Sequence, residues 1–239
     1  MSVKLVAFDL DGTLTQHKTP LEEKNRNVLI KLSEKYKLLM VGAGSCERIF
    51  KQMNGFPIDI IGNYGMQYAV YDDAQKEMRV VRNNHADVDR EEILRRAALI
   101  RDKFNLHDYS GNTMEFHESG LLTLPVLGTT AKIEDKLAYD PDKSKRRAMY
   151  PYVKELFYDY NVVIGGTSSF DIIPGEYGKY NALMRYARDN NISKDEIVYC
   201  GDDYFTGGND HDVYVGGVRF IIVDLYTNFE DIIEKSGLI

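Results

Sequence analysis

Apolar and polar positions follow two regimes along the chain. Residues 3–8 form an apolar run that predicts a short buried strand. "LEEKNRNVLIKLSEKY" then puts Val28, Leu29, Leu32 and Tyr36 on one helical face. "KLLMVGAG" predicts a second apolar strand ending in glycines, and "SCERIFKQM" a helix capped by Ser45. "IDIIGNYG" predicts a third strand, and "MQYAVYD" with "MRVVR" a hairpin. Strand, helix, strand, helix, strand is the order of a parallel sheet covered on both faces.

After about residue 83 the pattern changes. "REEILRRAALIRDKF" spaces Ile93, Ala97, Ile100 and Phe104 as a helix, and "NTMEFHESGLLTLPVLG" predicts two strands joined at Glu118–Gly120. "SKRRAMYPYVKELFYDY" predicts another helix and "NVVIGGTSSFDIIP" two more strands, together a small α+β unit. The first regime then returns: "YNALMRYARDNN" as a helix, "EIVYCGDD" and "VRFIIVD" as strands, and "NFEDIIEKSG" as a closing helix. The expected fold is α/β: a Rossmann-like parallel-sheet core at 1–82 and 178–239, with an inserted antiparallel-sheet cap at 83–177.

Composition narrows the function. The 239 residues carry a net charge of −7, and no basic cluster exceeds "KSKRR" at 143–147, so nucleic acid is not an expected partner. Cys46 and Cys200 have no metal-type spacing and form no disulfide framework. The N-terminus lacks a signal-peptide apolar region, and no run nears the ~20 apolar residues of a membrane span, which makes the cytoplasm the expected compartment.

Three core strands end in polar, glycine-rich turns, "FDLDGT", "VGAGS" and "YCGDD", and ligands of open parallel sheets bind at carboxyl ends of strands. Alone, "DLDGT" reads as a turn, because Asp-Gly is a common turn dipeptide. "VGAGS" lacks the third glycine of a dinucleotide loop, and "GDDYFTGGND" lacks the spacing and closing Glu of an EF-hand. Together they suggest one site. Asp9, Asp11 and Asp202 can converge on a Mg²⁺, which relieves the repulsion between acids placed two residues apart. One carboxylate can attack phosphorus, a second can carry the proton, and amides, a hydroxyl and a lysine can stabilise the transferring group.

Asp9-Leu10-Asp11-Gly12-Thr13, Ser45, Lys179 and Gly201-Asp202 match, in order, the four motifs of the haloacid dehalogenase-like (HAD) phosphotransferase superfamily, which the chain resembles over its whole core. The resemblance implies Asp9 as nucleophile and Asp11 as general acid/base with its backbone carbonyl on Mg²⁺. It implies Thr13 and Ser45 on the phosphoryl group, Lys179 paired with that group and with Asp9, and Asp202 as a metal ligand. Asp203 or Asp210 would support the metal through water, and Asn209 would contact the phosphoryl group or Lys179.

The insert has the position of a type C2 cap. Within it "TMEFHESGLLTLPVLG" and "GGTSSFDIIP", and after it "GDDYFTGGNDHD", are similar to the eukaryotic-type phosphomannomutases. That family holds a distal phosphate with cap arginines. Here His117 and Thr129 stand at two such positions, Lys136 is at best a third, and Lys18 replaces an early arginine. Such residues do not substitute for bidentate arginines. Ser169 and Asp171 match residues that hold sugar hydroxyls.

The sequence therefore predicts first a Mg²⁺-dependent phosphatase of small phosphorylated sugars or polyols, working through an aspartyl-phosphate. A hexose phosphate mutase acting through a bisphosphate is the alternative, with Arg146, Arg147 or Lys132 as replacement anchors. A catalytically silent sugar-phosphate sensor is a third reading, opposed by the intact motifs. The expected assembly is a monomer or a cap-mediated homodimer through "AMYPYVKELFYDYN", whose other reading is packing on the cap's own sheet.

Overall fold

The apolar run before Asp9 forms strand β1 (Leu5–Phe8), with all four residues buried. The computed structural model describes residues 2–239. In it β1 lies inside a seven-stranded sheet with β2 (Lys37–Val41), β3 (Asp59–Gly62), β4 (Gln67–Asp72), β5 (Glu77–Asn83), β10 (Ile197–Gly201) and β11 (Arg219–Ile222). The order is β11-β10-β1-β2-β3-β4-β5. The first five strands of that order run parallel, and β4 and β5 add the antiparallel hairpin that the pattern predicts.

Alternation within the parallel strands builds two cores. Val6, Phe8, Met40, Ile60 and Val198 face α1 (Glu23–Ser33), α2 (Cys46–Gln52) and α8 (Phe229–Ser236), through Val28, Leu32, Ile49, Phe229 and Ile233. Leu5, Ala7, Leu39, Val41 and Tyr199 face α6 (Lys179–Asp189) and α7 (His211–Val215), through Leu183, Tyr186 and Val213. Each large side chain so buried contributes about 1.5–3 kcal/mol. These elements form one compact unit, made of the residues up to Asn84 with Gly178–Phe205 and Asp210–Ile239. Asn83 ends β5 and so lies in this unit rather than in the insert.

The second unit comprises His85–Tyr177 and Thr206–Asn209. Its sheet, in the order β6-β7-β9-β8, is antiparallel throughout and consists of β6 (Glu115–Phe116), β7 (Leu122–Pro125), β9 (Ser169–Pro174) and β8 (Tyr160–Gly165). One face is apolar: Leu122, Leu124, Phe170, Ile172, Val162 and Ile164 pack under α3 (Arg90–Phe104) and α5 (Ser144–Leu156). Thr206–Asn209 belong here because the Ile164 N–H donates to the Gly207 carbonyl at 2.7 Å. In the Tyr-rich stretch, Met149, Val153 and Phe157 enter the unit's own core, with Tyr150, Tyr152 and Tyr160 packed against it. The predicted helix runs four residues short, because Tyr160 pairs with Pro174 in β8.

Helix α4 (Ile133–Tyr139) was not predicted; its only apolar pair one turn apart, Ile133 and Leu137, is exposed, and the helix has no buried residue. Among the described residues no helix is long and apolar enough to cross a membrane.

Arg146, a candidate phosphate anchor by sequence, is instead consumed by the fold. It is 1% exposed, and its Nε donates to Asp140 Oδ2 at 2.8 Å. Its Nη1 reaches the carbonyls of Gly165, Gly166 and Ser169, tying α5 to the β8–β9 turn. Removing one partner of a buried ion pair strands the other, at a cost of about 3–5 kcal/mol. Asp140→Ala should lower the unfolding free energy by about that amount in chemical denaturation; a loss under about 1 kcal/mol would contradict this role.

Candidate active site

Strand register delivers the acids. Phe8 pairs with Cys200, and the Asp9 N–H continues the ladder to the Cys200 carbonyl at 2.9 Å. Asp9 and Asp202 therefore leave neighbouring parallel strands side by side at their carboxyl ends. β1 is flanked by β2 on one side and β10 on the other, so the chain diverges there and opens the crevice where open sheets bind ligands. Gly12 is required at this point. Its φ is +102°, and a Cβ would lie 2.5 Å from the Asp202 carboxylate.

Asp9, Asp202 and Asp210 each place a carboxylate oxygen within 4.8 Å of the others. One cation is buried among them. Lys179, the first residue of α6 and 1% exposed, donates to Asp9 Oδ1 at 2.6 Å and to Asp210 Oδ1 at 2.8 Å. Asp210 also accepts from the Tyr199 hydroxyl at 2.6 Å and from the Asp203 N–H at 3.3 Å. Asp9 Oδ2 is buried with no hydrogen-bond partner. A buried carboxylate oxygen in that state is costly unless a proton or a cation occupies it.

The titration of the acids reflects this deficit of positive charge. Burial pushes the Asp9 carboxyl well above the carboxylate range against the pull of Lys179, and Asp210 and Asp202 push it further. Burial and Asp210 push Asp202 up to about 6, although the Thr13 hydroxyl, 2.9 Å from Oδ1, pulls it down. Burial pulls Lys179 down, but Asp210 and Asp9 more than offset this and hold it above the usual lysine value. An oxygen-only set of this kind suits a hard divalent cation.

The structure places the other sequence candidates unevenly. Asp11 does not bring its carboxylate to the cluster, so as a metal ligand it has only the carbonyl that the resemblance implies. Burial raises its pKa, but the Lys18 N–H and Gln52 amide, each 2.7 Å from Oδ1, and then Arg48 hold it below the usual carboxylate value. Asp203 contributes backbone contacts to Asp210, and its carboxylate is outside the cluster; of the two acids left open by sequence, Asp210 joins it. Thr13 spends its hydroxyl on Asp202. Ser45 caps α2, accepting from the Arg48 N–H at 3.2 Å. Asn209 falls in the second unit, and Lys18, expected beside the cap residues, lies in the first and is exposed.

In the second unit His117, Thr123 and Asp171 form a chain on the sheet face opposite the apolar core. His117 Nε2 is 3.0 Å from Thr123 Oγ1, which donates to Asp171 Oδ1 at 3.3 Å. Thr129 does not join them, because its hydroxyl accepts from the Asn112 N–H and closes a loop. Ser169 donates to the Gly165 carbonyl at 3.0 Å. Lys136 donates to the Thr129 carbonyl and Arg147 to that of Asp142. Tyr199, Gln52 and Arg48 were missed by sequence reasoning. Tyr199 alone leaves a signal, a hydroxyl in an otherwise apolar strand; Arg48 and Gln52 lie among the other polar residues of α2.

The sequence model described as eukaryotic phosphomannomutase matches residues 25–225. The chain belongs to this family. Relatives within it include the phosphomannomutase of Saccharomyces cerevisiae, 26% identical over 88% of this chain and 85% of its own. A probable phosphomannomutase of Caenorhabditis elegans is 24% identical with the same coverage. Among solved structures, an IMP-bound Plasmodium falciparum IMP-nucleotidase aligns with a TM-score of 0.74, covering all of this chain and 69% of its own at 14% identity. A HAD-superfamily phosphatase from Bacteroides thetaiotaomicron aligns at 0.60 and 14% identity, over 100% of this chain and 96% of its own. These likenesses give the fold: the phosphomannomutase-like α/β architecture is that of the HAD superfamily.

The raised acids set a pH dependence. Asp202 titrates near 6 when folded and near 3.8 as an ordinary carboxyl, so the folded state binds more protons between those values. Stability of the metal-free protein should then fall as pH rises through that window, since the slope follows protons bound unfolded minus folded. Thermal melts in a chelator should show this decline, and Asp202→Asn should make it shallower, leaving the part that the raised Asp9 contributes. Added Mg²⁺ should raise the melting temperature more near pH 7 than near pH 5; an equal rise at both would contradict the assignment.

Proposed function

We propose that this chain is a Mg²⁺-dependent phosphotransferase that takes the phosphoryl group of a small phosphorylated sugar onto Asp9. The observation that carries the reading is the asymmetry of the Asp9 carboxylate, with Oδ1 held by Lys179 and Oδ2 buried without a partner. Asp9, Asp202 and the Asp11 carbonyl would hold the Mg²⁺, with Asp210 fixed behind them by Lys179 and Tyr199. When bound, that ion would supply positive charge to the acids and the transferring oxygens.

An Asp9 oxygen attacks phosphorus, the bond to the sugar oxygen breaks, and Asp11 gives a proton to the departing alkoxide. Lys179 holds Asp9 in line, and Ser45 and Thr13 lie on the motifs that would contact the phosphoryl oxygens. Asp11 then takes a proton from the hydroxyl that attacks the aspartyl-phosphate, so atoms and charge balance over the cycle.

The identity of that second hydroxyl separates two readings. The family and its relatives, named as phosphomannomutases, favour return of the phosphoryl group to a sugar through a bisphosphate, the reading that the sequence ranked second. Hydrolysis, ranked first, is favoured by one observation in the second unit. Where the family has arginines this chain has His117, 3.0 Å from the Thr123 hydroxyl, and Thr129, whose hydroxyl closes a loop by accepting from the Asn112 N–H. Arg146 is buried in a structural ion pair, and so is not an anchor for a second phosphate.

Phosphate release and isomer conversion should be measured on mannose and glucose 6-phosphates and 1-phosphates with Mg²⁺, with and without a hexose bisphosphate. The mutase reading expects bisphosphate-dependent conversion of 1-phosphate to 6-phosphate. The hydrolase reading expects free phosphate that is indifferent to the bisphosphate. Asp9→Asn should reduce either activity by at least about a thousandfold, and retained activity would overturn both.

A further inference from the structure

Asp11 is held by a network built from the opposite wall of its loop that reaches both carboxylate oxygens, and His17 Nδ1 lies 3.9 Å from Oδ2 as well. Gln52, in the last turn of α2 and 9% exposed, splits its amide protons. One goes to Asp11 Oδ1 at 2.7 Å and the other to Thr15 Oγ1 at 3.0 Å. Thr15 in turn donates toward the Leu10 carbonyl, which leaves its oxygen to accept from Gln52 and fixes which end of the amide faces Asp11. The Gln52 oxygen accepts from Arg48 Nη1 at 3.0 Å, one helical turn back on the same face. Arg48 then presents Nη1 and Nη2 to Asp11 Oδ2, both at 3.3 Å. The Lys18 N–H completes the set on Oδ1, from a residue in the left-handed region at φ 58°.

Gly44 adds an independent mark of this arrangement. A Cβ at Gly44 would lie 2.1 Å from Arg48 Nε and 2.4 Å from Nη2, so this glycine of "VGAGS" clears the path of the guanidinium.

We propose that Gln52 and Arg48 are positioning residues that set the orientation of the Asp11 carboxylate for proton transfer to the departing sugar oxygen. The proposal rests on the phosphoryl-transfer reading above. Gln52 supplies direction through one strong hydrogen bond and Arg48 supplies a two-pronged charged contact, and neither touches Asp9, Asp202 or Asp210. Side chains that lock a catalytic group from behind govern how often it points at the reacting atom, and small misplacements cost rate steeply.

Leaving-group dependence tests this. Departure of a sugar alkoxide needs a well-aimed proton, whereas p-nitrophenolate leaves with little protonation. kcat/KM should be measured on the hexose phosphate the enzyme prefers and on p-nitrophenyl phosphate. Gln52→Leu and Arg48→Met should lower the ratio of hexose phosphate to p-nitrophenyl phosphate about 30- to 100-fold. Gln52→Glu, which faces Asp11 with an acceptor, should lower it further, and Arg48→Lys should restore part of the Arg48→Met loss. An unchanged ratio, whether both activities fall together or neither falls, would overturn the proposal.

A crystal structure of Gln52→Leu supplies a second readout that does not depend on turnover. The Asp11 carboxylate should be rotated away from the Lys18 N–H or split between conformers, and an unaltered carboxylate would overturn the positioning role. An enzyme that neither releases phosphate from either substrate nor converts hexose phosphate isomers with a bisphosphate present would instead overturn the phosphoryl-transfer reading, while the crystal structure still decides what Gln52 and Arg48 hold.

Discussion

The buried contact of Lys179 with Asp9 and Asp210 is the constraint on which the rest of the site depends. Three carboxylates meet at the ends of buried strands, with one ammonium among them. Burying like charges together is unfavourable, and this cluster persists because Lys179, Tyr199, the Asp203 N–H and the Thr13 hydroxyl satisfy four of its six carboxylate oxygens. The buried oxygen they leave without a partner, Asp9 Oδ2, is the atom with unspent reactivity. The same shortage of positive charge makes the site receptive to a divalent cation and to the electrophilic phosphorus of a phosphate ester.

The fold makes that cluster reproducible. Parallel register sets Asp9 beside the end of β10, and the start of α6 delivers Lys179 from the face opposite α1 and α2. Helix α2 has a separate task. Its face carries Arg48 and Gln52 to Asp11, which keeps the second aspartate of the motif apart from the first despite their two-residue separation. Two acids that look alike in sequence therefore occupy opposite electrostatic settings: Asp9 is pushed above the ordinary carboxylate value and Asp11 is held below it. In the metal-free state this split runs against a nucleophilic Asp9 and a proton-carrying Asp11, because an attacking carboxylate must be ionised; a divalent cation at the acidic cluster would draw Asp9 down into the ionised form.

Much of this was legible in the chain. Continuous apolar runs gave the parallel strands and the 3.6-residue spacing gave α1, α3 and α6, because those elements bury a face and must write it into the sequence. Helix α4 is too short and too exposed to write such a face, with only Ile133 and Leu137 one turn apart. Asp9, Lys179 and Asp202 stand out because they match the superfamily motifs in order, since each alone has an ordinary use at a turn or helix start; Asp210 and Asp203 could not be ranked by sequence. Thr129 and Arg146 show the converse. A threonine and an arginine near a site carry no sign in sequence that one closes a loop and the other neutralises a buried aspartate. Tyr199 and Gln52 were hidden for the same reason, since their polar atoms matter only through partners distant in the chain.

The most direct test of the central claim is to find where the phosphoryl group goes. Enzyme mixed with radiolabelled sugar phosphate and Mg²⁺, quenched in acid within one turnover, should carry label on the peptide that contains Asp9. The label should be released by hydroxylamine, as expected of an acyl phosphate, and Asp9→Asn should carry none. Label on any other residue, or rapid turnover with no labelled protein at any quench time, would contradict an account in which the buried Asp9 carboxylate is the phosphoryl acceptor.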